Sequence, residues 1–270
     1  MRVRVLCFAH AGAGVSAFRR WPRLLGPDVE IVPVLLPGRD GRRREPRPTS
    51  TAELLDDIAA VVGPVVRSGE PYLLYGHSLG GLISCALVCS LHKKRLALPA
   101  LLAVGALPPP DAPVALAHCA DLPDAELLRV LDTFGSVPGG TEPGDLWHRT
   151  ALPVLRDDFR LADALRTQAG AGAGPGGDMA YGGPLPVPVL AVAGRDDPLA
   201  PPAAMAGWQR WSTGPFTRRT VPGGHFFVRD AALPRLVGRA ARVVARTAAP
   251  SGGPSATPWA VRTAAVGTGR

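Results

Sequence analysis

A serine stands between two glycines at the point where a predicted strand meets a predicted helix. The segment runs Tyr75-Gly-His-Ser-Leu-Gly-Gly81 and places Ser78 in the pattern GxSxG. At such a junction the pattern forms a tight turn that pushes the serine out at the top of a sheet, where its hydroxyl can attack a carbonyl carbon. The pattern alone is weak, because an idle serine in a glycine-rich turn would match it equally well. Its position between a strand and a helix makes Ser78 the candidate nucleophile.

A serine hydroxyl needs a general base, and a carboxylate must hold that base in the right tautomer. In proteins with such a turn, called a nucleophile elbow, the acid and then the histidine follow the serine along the chain. Of the six histidines, His225 alone lies late, in a glycine loop after a predicted strand. The acid should end the preceding strand, where Asp196 and Asp197 are adjacent. Asp197 is preferred because it lies three residues after Gly194 and just before Pro198.

Negative charge developing on a substrate oxygen needs backbone N–H donors. Leu79, the residue after the nucleophile, supplies one, and we assign the other to Ala11 in the loop after the first strand. The same loop matches GxGxxA from Gly12 to Ala17, a pattern of dinucleotide-binding folds. That fold requires an acidic residue at the end of the second strand, whereas Glu30 stands at its beginning. Nucleotide binding is therefore the less favoured interpretation of this loop.

These residues can meet only if several strands end at one edge of a sheet. Apolar runs of strand length alternate with amphipathic helical stretches, which predicts the α/β class: a mostly parallel sheet with helices on both faces, as in the α/β-hydrolase fold. The predicted strands are 3–8, 29–35, 72–75, 101–104, 187–193 and 216–221, and the predicted helices are 16–25, 51–66, 79–92, 203–211 and 233–247. Ser50 and Glu53 form a capping box at the start of the second of these helices.

One interval interrupts the alternation. Residues 108–168 contain helical patterns and no strand, which predicts a lid inserted over one end of the sheet. Residues 169–183 are nearly all Gly, Ala and Pro, a composition that predicts a mobile loop. We therefore expect one hydrolase domain over 1–248 and a disordered tail over 249–270.

The composition, with 46% hydrophobic and 19% charged residues, is that of a globular protein. No apolar run is long enough to cross a bilayer, and the apolar run near the start is too short for a secretory signal, so we expect a cytoplasmic protein without membrane contacts.

The four cysteines (Cys7, Cys85, Cys89 and Cys119) have spacings that match no zinc site and are expected to be buried thiols. The net charge of +8 comes from scattered arginines, which disfavours nucleic acid as a partner and leaves an acidic protein partner open.

Several segments together resemble the type II thioesterases that accompany polyketide synthases and nonribosomal peptide synthetases. They cover the first two strands and their loops, the elbow, the lid and the two loops of the triad: 6–12, 34–39, 75–81, 121–128, 152–159, 194–197 and 223–226. Together they span about 3–246, nearly all of the chain that we expect to be ordered. Ala9 departs from the family pattern, which usually has proline there.

The resemblance implies a monomeric serine hydrolase that needs no cofactor and no metal. It implies that Ser78 is acylated, that His225 transfers protons and that Asp197 orients the imidazole. The implied substrate is an acyl group on the 4′-phosphopantetheine thiol of an acyl or peptidyl carrier protein. A general serine esterase or acyltransferase on the same fold stays open, as does a non-catalytic binding protein, although the complete Ser, Asp and His set disfavours the latter.

Overall fold

A six-stranded parallel sheet forms the centre of the computed structural model, which describes residues 2–113, 115–135, 137, 144–170 and 184–248. The strand order is β2-β1-β3-β4-β5-β6. The strands are β1 (Val3–Phe8), β2 (Val29–Pro33), β3 (Tyr72–His77), β4 (Leu101–Gly105), β5 (Val189–Gly194) and β6 (Phe216–Val221). All five pairings are parallel, so the carboxyl ends of the strands lie along one edge. The predicted fold class is confirmed.

Seven α-helices surround this sheet in the described part of the chain. They are α1 (Pro22–Leu25), α2 (Thr51–Arg67), α3 (Leu79–Lys93), α4 (Asp124–Asp132), α5 (Leu146–Gly170), α6 (Pro202–Met205) and α7 (Ala232–Ala248). The helix predicted over 16–25 is instead a 3-10 turn, Val15–Phe18, followed by α1. Pro22 is the first residue of α1, a position where its missing N–H costs no helical hydrogen bond. A new helix can therefore begin at Pro22.

The two faces of the sheet bury alternate residues of each strand, as the period of two requires. Leu6, Phe8 and Leu74 pack towards α2, α3 and the second half of α5. Val5, Cys7 and Tyr75 belong to the opposite core, which includes residues of α1 and α7. Every residue of β3 and β5 is buried, which explains why these strands appear in the sequence as continuous apolar runs.

Helices α4 and α5 lie between β4 and β5 in the chain, and the described residues of this interval form no strand before β5. Together with the turn Cys119–Asp121, these two helices form a third apolar cluster: Cys119, Ala120, Leu127, Leu131, Leu152, Leu155 and Phe159. We call this the lid cluster. The second half of α5 belongs to the sheet core instead, through Leu161, Leu165 and Ala169. One continuous helix therefore joins the lid cluster to the sheet.

Several smaller expectations can be compared with the structure. Ser50 caps α2, because its Oγ accepts the N–H of Glu53 at 3.2 Å. All four cysteines are buried free thiols. None of the helices in the described residues is long and apolar enough to cross a bilayer. The expected mobile loop begins within α5, and its remainder, 171–183, lies outside the described residues, as does the expected tail, 249–270.

Candidate active site

Ser78 joins β3 to α3 in a backbone conformation that few residues other than glycine adopt. Its φ is 53° and its ψ is −118°. The turn is held on both sides, since the N–H of Ser78 donates to the carbonyl of Gly105 at 2.8 Å and its carbonyl accepts the N–H of Gly81 at 2.8 Å. Strained backbone of this kind persists only where its surroundings fix it, and it concentrates at functional sites.

Gly76 and Gly80 are required by close approach of the backbone. A Cβ on Gly76 would collide with the carbonyl oxygen of Gly80, and a Cβ on Gly80 would collide with that of Phe8. The first turn of α3 can thus sit directly against β3 and β1. The spacing of glycines around Ser78 has a steric cause.

His225 lies against Asp197. Its Nδ1 is 3.1 Å from each carboxylate oxygen of Asp197, which is 2% exposed. Burial by itself raises the pKa of Asp197, but the hydrogen bond and charge of His225 and the N–H groups of Ala200 and Leu199 outweigh it and hold this pKa below its ordinary value. The ionised carboxylate only accepts, so Nδ1 of His225 carries a proton, and in a neutral imidazole Nε2 is then the acceptor.

Asp196, the alternative acid, faces solvent. Its backbone N–H donates to the carbonyl of Gly223 at 3.0 Å, and within the described residues its carboxylate makes no hydrogen bond to His225. The structure thus brings Asp197, and not Asp196, to the imidazole.

His77, within the GxSxG pattern, holds the loop that carries His225. Its Nε2 is 2.7 Å from the carbonyl oxygen of His225, and its Nδ1 is 2.6 Å from the hydroxyl of Tyr75. A carbonyl only accepts, so Nε2 carries the proton and Nδ1 accepts from Tyr75. Burial and the nearby His10 and His225 keep the pKa of His77 well below its ordinary value, so the ring is neutral. In the sequence, only the position of His77 beside the nucleophile hints at this role.

His10 is a further buried histidine at the site. Its ring centroid is 5.7 Å from that of His77 and 5.0 Å from that of Phe226. Burial, followed by the charges of Arg229 and His225, lowers the pKa of His10 to about 3, so this ring is also neutral. Although three histidines lie close together, no group of three or more His, Cys, Asp or Glu side chains in the described chain is arranged to hold a metal ion.

Ser78 and His225 line one cavity of about 640 Å³. The interval predicted to form a lid contributes apolar side chains to the cavity wall: Leu116, Leu131, Trp147, Ala151, Leu155 and Phe159. A pocket with an apolar wall and a few converging polar groups is the usual form of a small-molecule site. An acyl chain could lie along the lid wall with its carbonyl carbon at Ser78.

The two predicted oxyanion donors are positioned differently. Leu79 is the first residue of α3, where a backbone N–H has no acceptor within the helix itself. Ala11 lines the cavity. In the same loop the N–H of Gly12 is bonded to Asp158 at 2.7 Å and that of Ala13 to the carbonyl of His10 at 3.1 Å, whereas no described residue accepts from the N–H of Ala11.

The glycines that suggested nucleotide binding are instead packed against the protein. A Cβ on Gly12 would lie 2.7 Å from Cδ2 of Leu155 in the lid, and a Cβ on Gly14 would collide with the carboxylate of Asp40. Close approach of these two side chains explains the GxG spacing.

Known proteins are similar to this chain in sequence. The model of the family described as the thioesterase domain matches residues 3–242. The thioesterase PikA5 of Streptomyces venezuelae is 33% identical over 229 residues, which cover 84% of this chain and 76% of that protein. The gramicidin S biosynthesis protein GrsT of Aneurinibacillus migulanus is 25% identical, with 85% and 84% covered.

Solved structures agree. RedJ, a thioesterase from the prodiginine biosynthetic pathway of Streptomyces coelicolor, superposes with a TM-score of 0.75 at 31% identity and covers 88% of this chain and 89% of its own. The type II thioesterase BorB from the borrelidin biosynthetic cluster gives a TM-score of 0.71 at 28% identity, with 90% and 94% covered. With a family model matched over most of its length and relatives alike in sequence and fold, this chain belongs to the thioesterase domain family.

Proposed function

We propose that this chain hydrolyses acyl thioesters carried on the 4′-phosphopantetheine arm of acyl or peptidyl carrier proteins and thereby edits polyketide or nonribosomal peptide assembly. One observation carries the proposal: Ser78, held at a φ of 53°, opens into the same cavity as His225, whose Nδ1 is bonded to buried Asp197. The names of the relatives support the pathway, since GrsT is named for gramicidin S biosynthesis and RedJ for prodiginine biosynthesis.

In the first half-reaction, the Oγ of Ser78 attacks the thioester carbonyl carbon while Nε2 of His225 takes its proton. The imidazolium that forms is stabilised by Asp197. The carbonyl oxygen becomes an oxyanion that accepts from the N–H groups of Leu79 and Ala11. The C–S bond then breaks, and the thiolate leaves with the proton from His225.

In the second half-reaction, a water molecule attacks the ester carbon of the acylated Ser78, and His225 takes the proton of that water. The C–O bond to Ser78 breaks, the hydroxyl recovers its proton from His225, and a carboxylic acid is released. The neutral imidazole that both steps need is the tautomer that Asp197 holds through Nδ1.

Four exposed arginines stand around the cavity. Arg19, Arg20 and Arg229 line it, and Arg23 lines an adjoining depression with Arg19 and Arg20. We call them the arginine rim. None of them forms an ion pair with a carboxylate of the described residues, unlike Arg42, Arg47 or Arg210. Asp40 also lines the cavity, but the arginines outnumber it. A net positive rim attracts anionic substrates, and the phosphodiester of a phosphopantetheine arm is such an anion.

The experiment that tests the proposal compares two leaving groups. The purified chain should release a given acyl group from a phosphopantetheinylated carrier protein with a higher kcat/KM than from an oxygen ester of the same acyl chain. An equal or reversed preference would show a general esterase, and transfer to an added alcohol or amine in place of water would show an acyltransferase. The ratio of the two kcat/KM values separates a thioesterase from a general esterase, and free thiol released without an equal amount of free acid shows acyl transfer.

A second prediction concerns the arginine rim. Arg19→Gln combined with Arg20→Gln should raise KM for the carrier-bound substrate about ten-fold at low salt, because steering of an anion is lost. Hydrolysis of an acyl N-acetylcysteamine thioester, which has no phosphate, should not change. The matched control is Arg218→Gln with Arg219→Gln, two exposed arginines on β6. A KM that stays constant, or that rises equally for both substrates, would count against phosphate binding at the rim.

A further inference from the structure

A buried ion pair connects the lid to the loop after β1. Arg39, which follows β2, donates from Nη1 to Oδ2 of Asp158 at 2.8 Å and from Nη2 to Oδ1 at 2.6 Å. Asp158 lies on α5, and the two side chains are 7% and 3% exposed. The pair joins residues 119 positions apart.

Both members of this pair also bind the backbone beside Ala11. Oδ2 of Asp158 accepts the N–H of Gly12 at 2.7 Å, and Nη1 of Arg39 donates to the carbonyl of Ala13 at 3.2 Å. The first and the third peptide groups after Ala11 are thus held, one by a carboxylate and the other by a guanidinium. Ala11 itself packs against both the sheet core and the lid cluster.

The energetics favour a role beyond stability. Removing two charges from water costs several kcal/mol per ion, and an apolar pair of similar volume often stabilises a fold as well or better. Such a pair could not, however, hold a backbone N–H and a backbone carbonyl at defined positions. The polar groups are needed for orientation of the loop rather than for burial.

We propose that Arg39 and Asp158 are positioning residues for the oxyanion hole. They aim the N–H of Ala11 at the cavity, and they do so only while α5 is seated on the loop, so that the placement of the lid and the competence of the oxyanion hole are coupled. This inference rests on the proposed function, because it assumes that Ala11 donates to the developing oxyanion.

The test uses Asp158→Asn and a small acyl N-acetylcysteamine thioester as substrate. Removing one oxyanion donor costs about 10²–10³-fold in kcat in a known hydrolase. Misplacing the donor should lower kcat about ten- to a hundred-fold with KM nearly unchanged. Affinity for an alkylboronic acid, which forms a tetrahedral adduct with the serine, should fall by a similar factor. A purely structural role would lower the melting temperature without this selective loss.

The matched control is Asp57→Asn. Asp57 lies on α2 and forms a bidentate pair with Arg42, with N–O distances of 2.9 and 2.5 Å. Arg42 is only three residues after Arg39, but Asp57 binds neither Gly12 nor Ala13. Its kcat should stay within about two-fold of the parent value. If Asp158→Asn lowers kcat no more than Asp57→Asn does, or raises KM alone, the proposal is overturned.

A double variant covers the case in which Asp158→Asn does not fold, since it leaves the Arg39 charge without its partner. Arg39→Met with Asp158→Leu replaces the pair with apolar groups of similar volume. We expect this variant to fold with a melting temperature near that of the parent and still to show the lowered kcat. Full recovery of kcat in the double variant would overturn the proposal. Because the substrate carries no carrier protein, these results do not depend on whether the chain acts on carriers.

Discussion

Ser78→Ala is expected to lower thioester hydrolysis by at least about 10⁴-fold and to leave the fold unchanged, because loss of a nucleophile leaves only the weak catalysis of the oxyanion hole and binding. The Ser78 side chain does not cap α3, so no structural hydrogen bond of the helix is lost. Single-turnover hydrolysis measures the loss of activity, the melting temperature measures the fold, and mass spectrometry detects the acylated protein. The parent should gain the mass of the acyl group, and the variant should not.

Ser84→Ala is the matched control. Ser84 is buried on the same helix, and its hydroxyl donates to the carbonyl of Gly80 at 2.8 Å. Loss of that hydrogen bond should cost about 1 kcal/mol of stability and spare turnover. Substantial hydrolysis by Ser78→Ala would remove the elbow from the mechanism altogether.

The second large effect is expected at Asp197. An asparagine there can donate to Nδ1 of His225, which would place the imidazole proton on Nε2 and leave no acceptor for the Ser78 hydroxyl. The equivalent change in a serine protease lowers kcat about 10⁴-fold, and a loss of that order is expected for Asp197→Asn. Asp196→Asn, on the neighbouring exposed residue, should stay within about two-fold. A larger loss at Asp196 would overturn the assignment of the acid.

The same pair of variants also has an effect on stability against pH. The folded-state pKa of Asp197 lies below its ordinary value, so the carboxylate stabilises the folded protein above its unfolded pKa and loses that contribution as the pH falls through the folded one. Asp197→Asn should therefore unfold more readily than Asp196→Asn at neutral pH. Denaturant titrations at pH 7 and near pH 3 should show the difference shrinking at the lower pH.

Elements with a strong local pattern could be predicted from the sequence. β1 and β6 have the predicted bounds. β1 is a mostly apolar run, and β6 is rich in aromatic and β-branched residues and lies between two Gly and Pro pairs. The turn Ala206–Trp211 could not be predicted as 3-10, because tertiary contacts form it: Nε1 of Trp208 donates to the carbonyl of Leu107, and Nε1 of Trp211 to Asp111. Local propensity gives no account of such distant acceptors.

The candidate site shows the same division. That Ser78, Asp197 and His225 belong to one site could be predicted, because the turn that carries Ser78 and the loops that end neighbouring strands leave local patterns. The supporting groups leave none: His77 binds the backbone of a residue 148 positions away, and Arg39 binds Asp158 across 119 positions. A single sequence carries no period or spacing that would pair them, so only the three-dimensional arrangement identifies them.

The shared helix α5 has an evolutionary consequence. The lid cluster and the sheet core have no buried residue in common, although α5 contributes to both. Its early residues pack in the lid cluster, and its late residues pack in the sheet core. Selection can therefore alter Leu155 or Phe159, and with them the wall that would face an acyl chain, without altering a buried residue of the core that carries the nucleophile. Acyl preference can thus diversify at positions outside the sheet core.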